Sequence, residues 1–218
     1  MADSKREKSF FSIFGFRRGS AKEYVVTDNS GTVSHYRYKG GPLHREDGPA
    51  IEYPTGATKW YKDGKLHRED GPALEYPSLS EWYINGLLHR EDGPARILSN
   101  GNQEWYYEGK KHREDGPAVE YDSGYQEWWS HGERHRDGGP GSIDVKGTKR
   151  WWSHNEQHRE DGPAVEYTDG KKIWLCHGKQ HREDGPAVEN PDGTKEFWLD
   201  GKPVPEINGV PQPVEQTA

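Results

Sequence analysis

Seven histidines recur along this 218-residue chain, at His44, His67, His89, His112, His135, His158 and His181. Each opens a run of groups able to do chemistry. Six copies read His-Arg-Glu-Asp-Gly-Pro-Ala, and the fifth reads His135-Arg136-Asp137-Gly138-Gly139-Pro140-Gly141. Histidine, glutamate and aspartate are metal ligands and general acids or bases. A catalytic or metal centre, however, needs several such groups to converge at one point, and one short run per repeat does not supply that. A set that returns in every repeat suits a structural corner better. The structural reading therefore pairs Arg with Glu along or across strands, caps the turn with Asp and packs His against aromatic rings. The expectation is no metal, no cofactor and no catalytic residue.

The spacings of the seven histidines are 23, 22, 23, 23, 23 and 23. A fixed period of this length marks a repeat array whose members bury their faces against neighbours. Seven residues before six of the anchors stands a tryptophan: Trp60, Trp82, Trp105, Trp128, Trp151 and Trp174. The next position is aromatic in most repeats, as in Tyr61, Tyr83, Tyr106, Trp129 and Trp152. Adjacent residues of a strand face opposite ways, so two aromatic ladders on two sheet faces are expected, with the rings of consecutive repeats stacked.

Two turn signals divide each repeat. Pairs such as Asp63-Gly64, Asn85-Gly86, Glu108-Gly109, His131-Gly132, His154-Asn155 and His177-Gly178 follow the aromatic strand. They predict type I′ hairpin turns, whose two central residues both need positive φ. Triplets such as Pro54-Thr55-Gly56, Asp122-Ser123-Gly124 and Thr168-Asp169-Gly170 predict type I turns closed by a glycine bulge. Between turns, stretches such as Val165-Glu166-Tyr167 alternate as half-buried strands do. Proline in the Asp-Gly-Pro corner bends the chain away from a regular ladder. The expected fold is all-β, an elongated single-layer antiparallel array of β-hairpins.

Composition agrees with a thin fold. Apolar residues, with glycine counted and tyrosine left out, make up about 36% of the chain, against roughly 45–50% in ordinary globular domains. Nine Trp and twelve Tyr argue against disorder. The net charge of −7 argues against nucleic acid as a partner. The single cysteine, Cys176, excludes an intrachain disulfide and suits a reducing, cytoplasmic setting.

Residues 1–22 form a separate basic, Phe-rich segment, with six Lys/Arg against two acids. Within it Phe10, Phe11, Phe14, Phe16, Arg17 and Arg18 offer a membrane-surface contact through residues 8–18, a linear motif for a protein groove, or, as the plainer reading, a flexible, disordered leader or a hydrophobic cap on the first repeat. Residues 23–204 hold seven to eight repeats, and 205–218 read as a Pro-rich flexible tail. The fifth and sixth repeats depart most from the consensus. Trp128, Trp129, Trp151, Trp152, His131 and His154 are therefore candidates for partner contact, with drift as the alternative. Unpaired strand edges also invite self-association.

The run Trp60-Tyr61-Lys62-Asp63-Gly64-Lys65-Leu66-His67, with Tyr167-Thr168-Asp169-Gly170, resembles the MORN repeat in period and turn placement. The resemblance spans about residues 24–204. It departs where Arg-Glu-Asp-Gly-Pro stands in place of the family's shorter Gly-x-Gly. It implies a ribbon of stacked hairpins and a scaffolding role toward protein or lipid. The function expected is a non-enzymatic scaffold for protein–protein interaction, anchored near a membrane if the basic segment binds one. The alternative is a viral or bacterial protein sequestering a small anion such as a nucleotide.

Overall fold

A computed structural model describes residues 23–212. Its regular structure is entirely β, and its strand pairs are antiparallel. Among the described residues no helix is long and apolar enough to cross a membrane. The described residues divide into two compact units, with the boundary between Asn100 and Gly101.

In the first unit the sheet runs Tyr24–Thr27, Val33–Tyr36, Ile51–Glu52, Thr58–Lys59, Leu74–Tyr76, Leu79–Glu81, Arg96–Leu98. In the second it runs Gln103–Glu104, Val119–Glu120, Gln126–Glu127, Ser142–Ile143, Lys149–Arg150, Val165–Glu166, Lys172–Ile173, Val188–Glu189, Lys195–Glu196. Each unit adds a series of two-stranded hairpins, such as Tyr61–Lys62 with Lys65–Leu66 and Leu175–Cys176 with Lys179–Gln180. The expected antiparallel hairpin array is therefore present.

One repeat shows how the sequence makes this. Strand Val165–Glu166 turns at Tyr167, whose carbonyl accepts from Gly170 N–H at 3.1 Å and whose N–H donates to Lys171 O at 2.9 Å. The chain returns through Lys172–Ile173 to Trp174. There it leaves the sheet: Trp174 N–H still donates to Ala187 O at 2.8 Å, but its carbonyl accepts from His181 N–H at 3.2 Å. Trp174 thus ends one strand and opens the hairpin. The two aromatic rows expected on opposite faces of one strand are separated by this break. Neighbouring hairpins are tied by Gly178 N–H to Gln157 O at 2.9 Å.

The core is thin. Ala164, Val165 and Leu175, with Ile173 against them, form a cluster in the second unit. Small alanines at Ala73, Ala118, Ala164 and Ala187 are fully buried where the corner rejoins the sheet. Both predicted turn types are present. His177 and Gly178 have φ of 46° and 77°, and Gly170 has 94°. Inside the segment expected to be tail, Glu206–Ile207 pairs with Val210–Pro211 across Asn208-Gly209, at φ 54° and 79°. These residues thus add a further hairpin after the last repeat.

Glycines fill two different needs. Gly124 sits at φ 87° in open space, so Gly124→Ala costs only backbone strain, about 1–2 kcal/mol. Gly162 has no positive φ, yet an added Cβ would lie 2.9 Å from Arg159 Cζ. Gly162→Ala should therefore push the Arg159 guanidinium off its neighbours. Near-UV circular dichroism is expected to change for Gly162→Ala and to stay constant for Gly124→Ala, with both lowering the melting temperature.

Candidate functional site

The recurring His-Arg-Glu-Asp-Gly-Pro run resolves into one repeated arrangement. The guanidinium of Arg159 lies 4.1 Å over the Trp151 ring, and that of Arg182 lies 4.2 Å over Trp174. The same contact joins Arg68 to Trp60, Arg90 to Trp82, Arg113 to Trp105 and Arg136 to Trp128. Arg159 Nε donates to Asp161 at 2.7 Å, and its Nη1 donates to Pro163 O at 3.3 Å and Glu166 at 3.1 Å. The close glycine leaves room for the guanidinium on its other side. A planar cation with donors in a fixed fork is well suited to this seat. The Arg hydrogen bond holds the Asp161 carboxyl below its ordinary range, as it does at Asp70, Asp92, Asp115 and Asp184.

Three expectations change in detail. The expected continuous ring stack is replaced by Trp capped with Arg in six repeats. Asp accepts from Arg Nε–H instead of capping the turn through backbone bonds. Histidine packs into the next repeat's hairpin turn, accepting a backbone N–H at Nδ1: Asp63 to His44 at 3.1 Å, Asn85 to His67 at 3.1 Å, His177 to His158 at 3.3 Å. The expected Arg–Glu pairing is present, but with the strand glutamate seven residues on. The glutamate next to Arg stands exposed, as at Glu69 and Glu160.

A second arrangement escaped the sequence reading. Glu81, Glu104 and Glu127, each just before a Trp, are buried. Glu127 accepts from Tyr125 Oη–H, Trp129 Nε1–H at 2.9 Å and Arg134 Nη2. Glu104 accepts from Tyr106 Oη–H at 2.8 Å and Tyr121 Oη–H at 3.2 Å. Glu81 accepts from Tyr83 Oη–H at 2.9 Å and Arg96 Nε at 2.6 Å. Burial and the glutamate bond push the Tyr83 and Tyr125 hydroxyls up to about 12.

The irregular repeats are co-adapted. Arg134 lies 5.0 Å from the Trp129 ring centroid and 4.5 Å from that of Trp152. Trp152 Nε1 donates to Ser142 Oγ at 3.0 Å. A Cβ on Gly141 would meet Trp152 Cβ at 3.0 Å, so Gly141 and Ser142, in place of Ala and Val, fit the larger indole. Trp128 and Trp151 carry their Arg caps. His131 and His154 stand exposed at hairpin turns, His131 tilted against His112 at 4.1 Å and His154 stacked on His135 at 4.5 Å. Phe10, Phe11, Phe14, Phe16, Arg17 and Arg18 lie outside the described residues.

His158 stacks on His177 as His135 does on His154, with centroids 4.4 Å apart and planes at 18°. Here Cys176 joins them, and one donor atom from each residue lies within 4.8 Å of the others. The sequence reading took Cys176 alone, because its partner His158 comes from the preceding repeat.

Burial first, and then the like charge of His131, lower the His112 pKa. The folded pKa is thus below the unfolded value of about 6.5. Below that pH the unfolded chain binds a proton that folded His112 resists, so stability falls as pH drops toward the folded value. His131→Asn keeps a residue suited to φ 49° and removes the like charge. Its melting temperature is expected to fall less between pH 7 and 5 than that of the native chain.

Neither a family model nor a curated relative matches the sequence.

Proposed function

We propose that the chain is a non-enzymatic repeat scaffold that holds a protein partner along its repeats. The observation that carries this reading is how the recurring polar groups are divided. Arg159 meets Glu166 and the Pro163 carbonyl and His158 accepts the His177 N–H, and the Arg–strand glutamate bond recurs at Arg45–Glu52, Arg113–Glu120 and Arg182–Glu189. Glu69, Glu91, Glu160 and Glu183 meanwhile stand 79–90% exposed at equivalent positions. Catalysis needs one convergent set of groups. An outward series of carboxylates suits a surface read at intervals by a basic partner. The resemblance to MORN repeats points the same way, and residues 8–18 would supply an anchor near a membrane.

The test is affinity capture from source cells with the intact chain, a Glu160→Lys/Glu183→Lys variant, a Trp129→Ala/Trp152→Ala variant and a chain lacking residues 1–22. Loss of one and the same partner in the charge-reversed variant, with its melting curve unchanged, supports the scaffold. Equal capture by all four chains overturns it. Sedimentation with anionic liposomes tests the anchor separately.

One observation favours a second reading, sequestration of a small anion. A recess of about 500 Å³ is lined by Arg150, Gln157, Tyr167, Lys179 and Gln180. Calorimetry of the isolated chain with nucleotides separates the two readings, since only sequestration predicts binding heat without a protein partner.

A further inference from the structure

We propose that His158, Cys176 and His177 form a binding site for a thiophilic divalent cation, with Zn²⁺ the ion that suits it. Two imidazoles and a thiol are the borderline-soft donor set zinc takes, leaving a fourth position for water. Their donor atoms lie within 4.8 Å of one another. Tetrahedral zinc holds such donors about 3.4–3.6 Å apart, so side-chain rotation must draw them in by about 1 Å. His177 is exposed at a hairpin turn and the other two are half-buried, which leaves them that freedom.

The surroundings prepare the site. The stacked rings of His158 and His177, at 4.4 Å and 18°, set their nitrogens side by side. His177 Nδ1 donates to Glu156 Oε2 at 2.9 Å. That bond fixes the tautomer with the lone pair on Nε2, and a carboxylate behind a histidine is the usual support of a zinc ligand. His158 Nδ1 accepts the His177 N–H at 3.3 Å, and coordination through Nδ1 replaces this long bond. Binding takes the proton from the Cys176 thiol and releases it to solvent, so uptake strengthens as pH rises.

The array contains its own controls. His112 packs against His131, and His135 stacks on His154, without a thiol beside them. Ser130 and Ser153 occupy the positions that correspond to Cys176. A site that needs only paired imidazoles would occur in three successive repeats. A site that needs the thiolate occurs in one.

The experiment uses the full chain. Zn²⁺ affinity and stoichiometry come from competition with a chromophoric chelator, and Co²⁺ serves as the spectroscopic probe. One tight ion per chain is expected, with a sulfur-to-cobalt charge-transfer band in the near ultraviolet. Cys176→Ser should abolish the band and weaken Zn²⁺ binding roughly tenfold or more. His177→Asn should weaken it similarly while keeping the turn, because asparagine tolerates the φ of 46° found there. Circular dichroism confirms that both variants fold, and either one alone decides the matter. Absence of the charge-transfer band, or Zn²⁺ affinity unchanged in a folded Cys176→Ser or His177→Asn chain, overturns the site.

Discussion

Trp151→Ala is expected to remove about 3 kcal/mol of stability, and to do so across more than its own repeat. The ring is only partly buried, which sets the value at the low end for a tryptophan truncation. Three contributions are lost together. The Arg159 guanidinium, 4.1 Å over the ring, loses its aromatic floor while keeping Asp161 and Glu166. Apolar area of the indole returns to water. The backbone junction also loosens, because Trp151 N–H donates to Ala164 O at 2.8 Å and Trp151 O accepts from His158 N–H at 3.2 Å. Arg159 N–H donates onward to Leu175 O at 3.4 Å, so the disturbance reaches the next hairpin. In an array held by nearest-neighbour contacts, local loss spreads to adjoining repeats. Amide hydrogen exchange should speed up at His158, Arg159 and Trp174, and Trp151→Phe should restore most of the protection. Unchanged exchange at Arg159 and Trp174 in the alanine variant would refute coupling through the capped ring.

Much of this architecture was legible because repetition exposes what a single copy hides. The period of the histidines defined the repeat, and pairs such as Asp63-Gly64 located turns whose positive φ only a few residues accept. The hairpin at Asn208-Gly209 carried the strongest dipeptide signal for such a turn, but the prolines around it masked the signal. The partner of each tryptophan was not legible. Trp60 and Arg68 are eight residues apart, across a hairpin whose fold-back angle depends on the strand break at the tryptophan itself. Histidine seven residues on was an equally good candidate by spacing. Nothing in their residue type marks Glu81, Glu104 and Glu127 as buried, because charged residues usually face solvent. The usable clue was the aromatic two positions later, Tyr83, Tyr106 or Trp129, which shares a face with the carboxylate. His158, Cys176 and His177 were out of reach because the register between repeats, not the order along the chain, brings them together.

Glu127→Ala should cost more than any substitution at the exposed carboxylates, about 3–5 kcal/mol. It strips the acceptor from Tyr125, Trp129 and Arg134 at once, and Arg134 is left between Trp129 and Trp152 without a counter-charge. Glu127→Gln keeps the shape and one acceptor oxygen, and should cost only about 1–2 kcal/mol. The two variants differ in a second readout. The native Tyr125 hydroxyl is pushed up to about 12, by burial first and then by its bond to Glu127. A free tyrosine titrates near 10. The folded value is the higher one, so the stability linked to Tyr125 is complete below pH 10 and is lost as pH rises toward 12. Removing the carboxylate removes the second cause and leaves burial, so tyrosinate absorbance in Glu127→Ala should show Tyr125 ionising earlier. The alkaline melting curve should become correspondingly shallower. If Tyr125 already ionises with the exposed tyrosines in the native chain, Glu127 does not accept its proton inside the fold. The share of the alanine variant's loss that is assigned to Tyr125 would then have no physical basis.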